Sequence, residues 1–259
     1  MLMPQRSGVQ PSATQRPWSR DKRRRRGPAG HALLKRVWYG FLHVVCRLLG
    51  VVAYGIRVRG RHHVPATGGA LVLSNHQSHY DPVLIGLACD RRLSYVARST
   101  LFRFAPFRWL ILSLDAIPIE REGLGLAGLK ETLRRLERGE AVLLFPEGTR
   151  TRNGEVGTLK PGFCVLARRA SVPLVPVAID GAFDAWPRTR RWPWVARIEI
   201  EFGEPLLPEQ AAALDDRALV AEMERRIRAC HALARGRRQA TARRHGREPH
   251  MAALSAERQ

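Results

Sequence analysis

Short apolar runs alternate with segments of helical period through the middle of this chain, and most of these runs end in polar or basic residues. The runs are 70–73, 93–97, 116–119, 141–145 and 174–179. Unbroken aliphatic runs of this kind mark strands buried on both faces. Between them, 81–89 opens with Asp-Pro, a pairing suited to an N-cap and first turn. Residues 124–138 place Leu126, Leu129, Leu133 and Leu136 on one face at helical spacing, and 161–170 also reads as helix. The alternation predicts an α/β fold with a mixed, largely parallel sheet flanked by helices. In such sheets ligands meet side chains beyond the carboxyl ends of the strands. Residues 57–59 read as an edge strand, 198–202 as an alternating strand, and Leu219, Val220, Met223, Ile227 and Cys230 as the stripe of a last helix.

The 259 residues, 45% of them hydrophobic, suffice for one domain with appendages. Its formal charge of +21 is unevenly placed. Residues 1–36 hold ten Lys/Arg against one Asp, and 217–259 hold eleven Arg against four Glu, so the two ends carry +16 of it. Residues 1–30 are Pro-, Ser- and Arg-rich and read as a disordered basic arm; 235–259 read as a disordered basic tail. Residues 31–56 turn apolar, but Arg47 sits near the middle of the only stretch long enough to span a bilayer. With Trp38 and Tyr39 near its start and Lys22-Arg23-Arg24-Arg25-Arg26 upstream, the segment reads as an amphipathic, membrane-associating helix, with a spanning helix as the alternative. The remaining span, 57–234, is the folded domain. Cys46, Cys89, Cys164 and Cys230 are widely spaced, without a Cys-x-x-Cys pair, and read as reduced core residues.

Chemistry concentrates at three predicted strand ends. The first run leads into Ser74-Asn75-His76-Gln77-Ser78-His79-Tyr80-Asp81-Pro82, where His76 and Asp81 are close enough for the carboxylate to fix the imidazole's tautomer. Such a histidine can act as a general base. The second end is Phe145-Pro146-Glu147-Gly148-Thr149-Arg150. Gly148 permits close backbone approach, Thr149 and the backbone N–H groups can donate, and Arg150 can grip a phosphate. The third is Arg121, just past 116–119. No Gly-x-Ser-x-Gly elbow occurs, so the nucleophile is expected to come with the substrate, most simply as a hydroxyl. His76 and His79 lie three apart without further ligand spacing, and no metal is expected.

The order Asn75-His76-x-x-x-x-Asp81, Ile119-x-Arg121, Phe145-Pro146-Glu147-Gly148-Thr149-Arg150, then Val172-Pro173-Leu174-Val175-Pro176-Val177 resembles the four blocks of the glycerolipid acyltransferases. Within them it looks most like the bacterial 1-acyl-sn-glycerol-3-phosphate acyltransferases of phospholipid biosynthesis. The resemblance implies that His76 is the catalytic base, oriented by Asp81. It also implies that Glu147, Gly148, Thr149 and Arg150 shape the acceptor site, with Arg150 and Arg121 on the phosphate. Arg98 stands where the family often has a lysine, near the thioester or a phosphate, and Lys160 in Lys160-Pro161-Gly162 matches another recurrent stretch and is a candidate phosphate contact. Asp115 departs from the glycine that usually starts the second block, while Pro118 fits.

The expected activity is O-acyl transfer from acyl-CoA or acyl carrier protein, without a bound cofactor, to the hydroxyl of a lysophospholipid, foremost 1-acyl-glycerol-3-phosphate, giving phosphatidic acid. Another lyso-lipid acceptor, such as a lyso-ornithine lipid, and hydrolysis by the same dyad are the alternatives. The basic ends suit the anionic membrane surface, which places the protein at the cytoplasmic face. Nucleic acid is not expected as a partner, since the basic runs lack interleaved aromatic residues.

Overall fold

The run Ala70–Ser74 forms strand β2 and is buried along its whole length. Its residues serve two faces alternately: Ala70 and Val72 join one apolar cluster, Leu71 and Leu73 another. This is the period-two pleat expressed in an all-apolar sequence, because both faces of the sheet are covered. The computed structural model describes residues 55–98, 116–119, 125–190 and 192–244. All lie in the second of two units, Met1–Trp38 and Tyr39–Gln259. The expected basic arm, nearly all of the membrane-associating segment, Cys46, Arg121 and residues 245–259 lie outside the described residues.

The elements, in chain order, are β1 (Arg57–Arg59), β2, helix α1 (Asp81–Ala88), β3 (Leu93–Arg98), β4 (Ala116–Ile119), α2 (Gly125–Glu137), β5 (Ala141–Leu144), α3 (Gly162–Ala170), β6 (Leu174–Asp180), the single turn α4 (Ala182–Ala185), β7 (Glu199–Phe202), α5 (Pro208–Ala212) and α6 (Asp216–Arg244). Seven strands make one sheet in the order β1-β7-β6-β2-β5-β3-β4. Among the described residues every neighbouring pair is parallel except β6 and β7. The carboxyl ends of β2 to β6 therefore open on one edge. Leu84, Ile85 and Ala88 of α1 cover one face with Ala182 and Ala185 of α4. Phe163, Leu166, Leu219, Met223 and Ile227, from α3 and α6, cover the other. Cys89, Cys164 and Cys230 are free and buried in this packing.

Two expectations are corrected. The residues from 235 onward were expected to be a disordered tail, yet α6 continues unbroken to Arg244. Its arginines meet carboxylates of the sheet and of its connections: Arg238 pairs with Asp180 and Asp184, Arg235 with Asp180 and Glu155, and Arg237 with Glu201. Sequence reading followed only the apolar stripe, which ends at Cys230, and so missed a helix whose last turns are held by charge. The four-leucine stripe of α2 is the second. Leu136 is buried and Leu129 and Leu133 pack partly, but Leu126 is 88% exposed; Thr132 is buried instead.

Candidate functional site

At the end of β2 the chain must leave a buried strand without stranding backbone groups. Asn75 solves this with its side chain: Oδ1 accepts from Ile179 N at 2.9 Å and Nδ2 donates to Ile179 O at 3.0 Å. A buried amide thus extends the pairing of β2 with β6 by one residue. The next residue, His76, is fixed through its backbone to the loop after β5. Its N–H donates to Glu147 Oε1 at 3.0 Å, and its carbonyl accepts from Thr151 N at 2.7 Å.

The His76 ring stacks on Phe145, with centroids 4.1 Å apart and planes 20° from parallel. Its Nδ1 lies 2.8 Å from Asp81 Oδ2. Because a carboxylate only accepts, Nδ1 carries the hydrogen and Nε2 holds the lone pair. Asp81 is fully buried, whereas the His76 side chain keeps 19% exposure. The pair is therefore a buried carboxylate holding a partly exposed imidazole.

Asp81 does not cap α1 as expected; Tyr80 is the N-cap and Asp81 the first helical residue. Its Oδ2 instead accepts from the backbone N–H groups of Gln77 at 2.6 Å and Ser78 at 2.7 Å, both upstream of the helix. One oxygen thus shapes the loop and orients the ring. Asp81 Oδ1 is buried without a hydrogen-bond partner among the described residues.

Glu147 is buried, and burial raises its carboxyl from the ordinary range to about 7. The N–H groups of His76 and Gly157 oppose that rise and the Asp81 charge adds to it. Gly148 follows with φ +70, a left-handed conformation that costs glycine little. A Cβ built there would come within 3.1 Å of Lys160 Nζ, so the ammonium lies over this glycine. Gly148, Thr149 and Lys160 are exposed and Arg150 is half-buried. Arg150 donates through Nη1 to His79 Nε2. Burial, and after it the charge of Arg150, lowers His79 to about 4, so at neutral pH it accepts from Arg150 as a neutral ring.

The structure thus brings His76, Asp81, Glu147, Gly148, Thr149, Arg150 and Lys160 to one mouth. Arg98 ends β3 on the same edge, its backbone paired with Ile119 of β4. Arg121 lies outside the described residues.

Sequence reasoning missed what lies behind the mouth. Gln77 donates to Gly154 O at 2.7 Å, accepts from Phe183 N at 3.2 Å and touches His231 Nε2 at 3.2 Å. His231, buried on α6, faces Asp180 Oδ1 at 3.3 Å. Burial alone would raise Asp180, but the His231 hydrogen bond and the Arg238 charge prevail and hold it at about 2. No spacing rule links residues 77, 180 and 231; only the clustering of Asp180 with buried polar neighbours reveals them.

The Acyltransferase family profile matches residues 55–180, a span that contains both loops of the mouth. The 1-acyl-sn-glycerol-3-phosphate acyltransferase of Bacillus subtilis is 28% identical over 183 residues, covering 70% of this chain and 87% of that protein. Its namesake from Pseudomonas aeruginosa is 29% identical over 196 residues, covering 74% and 72%. The mouse 1-acyl-sn-glycerol-3-phosphate acyltransferase alpha is 32% identical over 174 residues, covering 63% of this chain and 61% of that one. Among solved structures, the 1-acyl-sn-glycerophosphate acyltransferase of Thermotoga maritima superposes with a TM-score of 0.64 at 22% identity, covering 77% of this chain and 86% of that one. That last likeness is one of fold.

Proposed function

The chain belongs to the Acyltransferase family, and from that premise we propose that it acylates the free hydroxyl of a lysophospholipid, 1-acyl-glycerol-3-phosphate, giving phosphatidic acid. The acyl donor is a thioester of CoA or acyl carrier protein. The observation that carries this reading is the 2.8 Å contact of His76 Nδ1 with buried Asp81, on a side chain that keeps 19% exposure. The names of the bacterial relatives support the choice of acceptor.

In this mechanism the acceptor hydroxyl gives its proton to His76 Nε2 as its oxygen attacks the thioester carbon. Asp81 stabilises the imidazolium that forms. The tetrahedral oxyanion collapses, the C–S bond breaks, and the thiolate takes the proton back from His76. Oxyanion donors are worth about 3 kcal/mol each. The N–H groups of Gln77 and Ser78 are engaged by Asp81, and that of Gly148 by the Phe145 carbonyl at 3.0 Å. Donors then come from other groups of the mouth, with Arg98 a candidate toward the thioester. Arg150, Lys160 and Arg121 supply positive charge for the acceptor's phosphate, and Thr149 and the Gly148 turn give it room.

The protein works at the cytoplasmic face of a membrane, where residues 31–56 and the basic ends meet anionic lipid. Among the described residues no helix is long and apolar enough to cross a membrane. The testing experiment offers acyl-CoA and acyl carrier protein donors with several lyso-acceptors, lyso-ornithine lipid included, and identifies the products. Phosphatidic acid formed from 1-acyl-glycerol-3-phosphate is expected. Free fatty acid released at saturating acceptor would replace transfer by hydrolysis, and a strong preference for another lyso-lipid would replace the acceptor.

A further inference from the structure

Between α4 and β7 the chain reads Trp186-Pro187-Arg188-Thr189-Arg190-Arg191-Trp192-Pro193-Trp194-Val195-Ala196-Arg197. Trp192, Trp194 and Val195 are 73%, 71% and 65% exposed. Single exposed apolar residues are ordinary on a protein surface, but three bulky ones within four positions form a patch that calls for an apolar partner.

The exposure does not arise from a loose loop. Trp194 N donates to Ala185 O at 2.7 Å, Trp186 Nε1 to Arg190 O at 3.0 Å, and Arg190 Nη1 to Asp184 O at 3.1 Å. The charges beside the patch are all positive: Arg188 and Arg190 are exposed and Arg197 half-exposed. Among the described residues Arg188 and Arg190 form no ion pair with a carboxylate, in contrast to Arg235, Arg237 and Arg238 of α6. The loop is also tied to the mouth. Ser78 Oγ donates to Trp186 O at 2.8 Å, and the Trp186 ring lies 4.9 Å from His79 and 4.7 Å from Tyr80.

Indoles with an apolar body and one N–H donor, beside exposed guanidinium groups, suit the boundary between acyl chains and anionic headgroups. We propose that residues 186–197 are a membrane-docking loop. Trp192, Trp194 and Val195 enter the interfacial layer, Arg188, Arg190 and Arg197 meet lipid phosphates, and the anchorage at Trp186 sets the catalytic mouth against the lipid surface. That last step rests on the proposed lipid acceptor; the docking itself does not.

The test uses the full chain with vesicles of phosphatidylcholine and phosphatidylglycerol, the phosphatidylcholine brominated in its acyl chains. Bromine should quench the wild type markedly more than W192F/W194F, which reads these two indoles whatever else holds the protein to the vesicle. R188E/R190E should lower that quenching and weaken its dependence on phosphatidylglycerol. Equal quenching of wild type and W192F/W194F would overturn the proposal. So would burial of the two indoles with rising protein concentration and no vesicles, which would assign the patch to a second copy of the chain. With a lyso-acceptor, W192A/W194A should lose turnover of vesicle-borne acceptor while keeping that of a short-chain soluble one. Loss of both would show that the loop supports the site structurally and would contradict the docking role. A wild type inactive toward every lyso-acceptor would refute the proposed function and leave the quenching result standing.

Discussion

The two loops of the mouth spend their polar groups in opposite ways. In residues 75–80 almost everything turns inward: Asn75 pairs with Ile179, Gln77 with Gly154 and Phe183, and the Gln77 and Ser78 N–H groups with Asp81. In residues 146–161 Glu147 and Thr151 turn inward onto the His76 backbone, while Gly148, Thr149 and Lys160 face outward. The first loop gives up its own chemistry to hold one ring still. The second presents Thr149 and Lys160 at the surface of the mouth. A general base needs a fixed position, and a binding turn needs side chains within a ligand's reach.

Substitutions that separate position from reach test this contrast. The largest effect is expected from Asp81→Ala, which removes the acceptor of three hydrogen bonds at once. Turnover should fall by about 10²- to 10⁴-fold, the range of a disabled general base. Chemical denaturation should also show a loss of about 2–5 kcal/mol as buried donors go unpaired. Asn75→Ala comes next. It leaves the Ile179 N–H and carbonyl without their side-chain partner, and unfolding measurements should show a loss of about 2–4 kcal/mol. Stability unchanged by that substitution would mean the first loop does not depend on its inward bonds.

Arg150→Ala belongs to the outward-facing loop and should leave stability nearly unchanged. It should raise KM for a phosphate-bearing acceptor by about ten- to a hundredfold, the worth of one charge-assisted hydrogen bond, with a smaller change in kcat. A kcat loss at constant KM would move Arg150 from binding to positioning.

Glu147 gives the smallest effect and a sign to check. Its carboxyl is raised by burial to about 7 from an unfolded value of 4.5, so between those values the folded state holds the extra proton. Its contribution to stability is complete below about 4.5 and is lost as pH rises through about 7. Glu147→Gln keeps an acceptor for His76 N–H and cannot ionise, so the variant should lose less stability than wild type between pH 5 and 8 in denaturation series. A steeper loss in the variant would contradict the burial of that carboxyl.

The α/β class and the placement of β2, β5 and β6 were legible in the sequence, because strands buried on both faces show themselves as aliphatic runs. His76 with Asp81 and the Glu147 to Arg150 turn were legible for a different reason: each lies within one short stretch at a strand end. What escaped depends on partners far apart in the chain. Asp81 looked like a helix cap because Asp-Pro opens helices, and only the folded loop shows that its oxygen faces the preceding N–H groups. The end of α6 looked like a tail because arginines carry no apolar period. Its order comes from Asp180, Asp184 and Glu201, on elements the sequence places dozens of residues away. His79 attracted notice only as a would-be ligand, and its contact with Arg150 spans 71 positions.

The central claim is that a histidine held by a buried carboxylate activates a lipid hydroxyl. Thiol release from an acyl thioester, followed with and without 1-acyl-glycerol-3-phosphate, tests it most directly in wild type and His76→Ala. The account predicts release that requires the acceptor and falls by about 10³-fold in the variant, with the melting temperature preserved. Undiminished acceptor-dependent release by His76→Ala would contradict it.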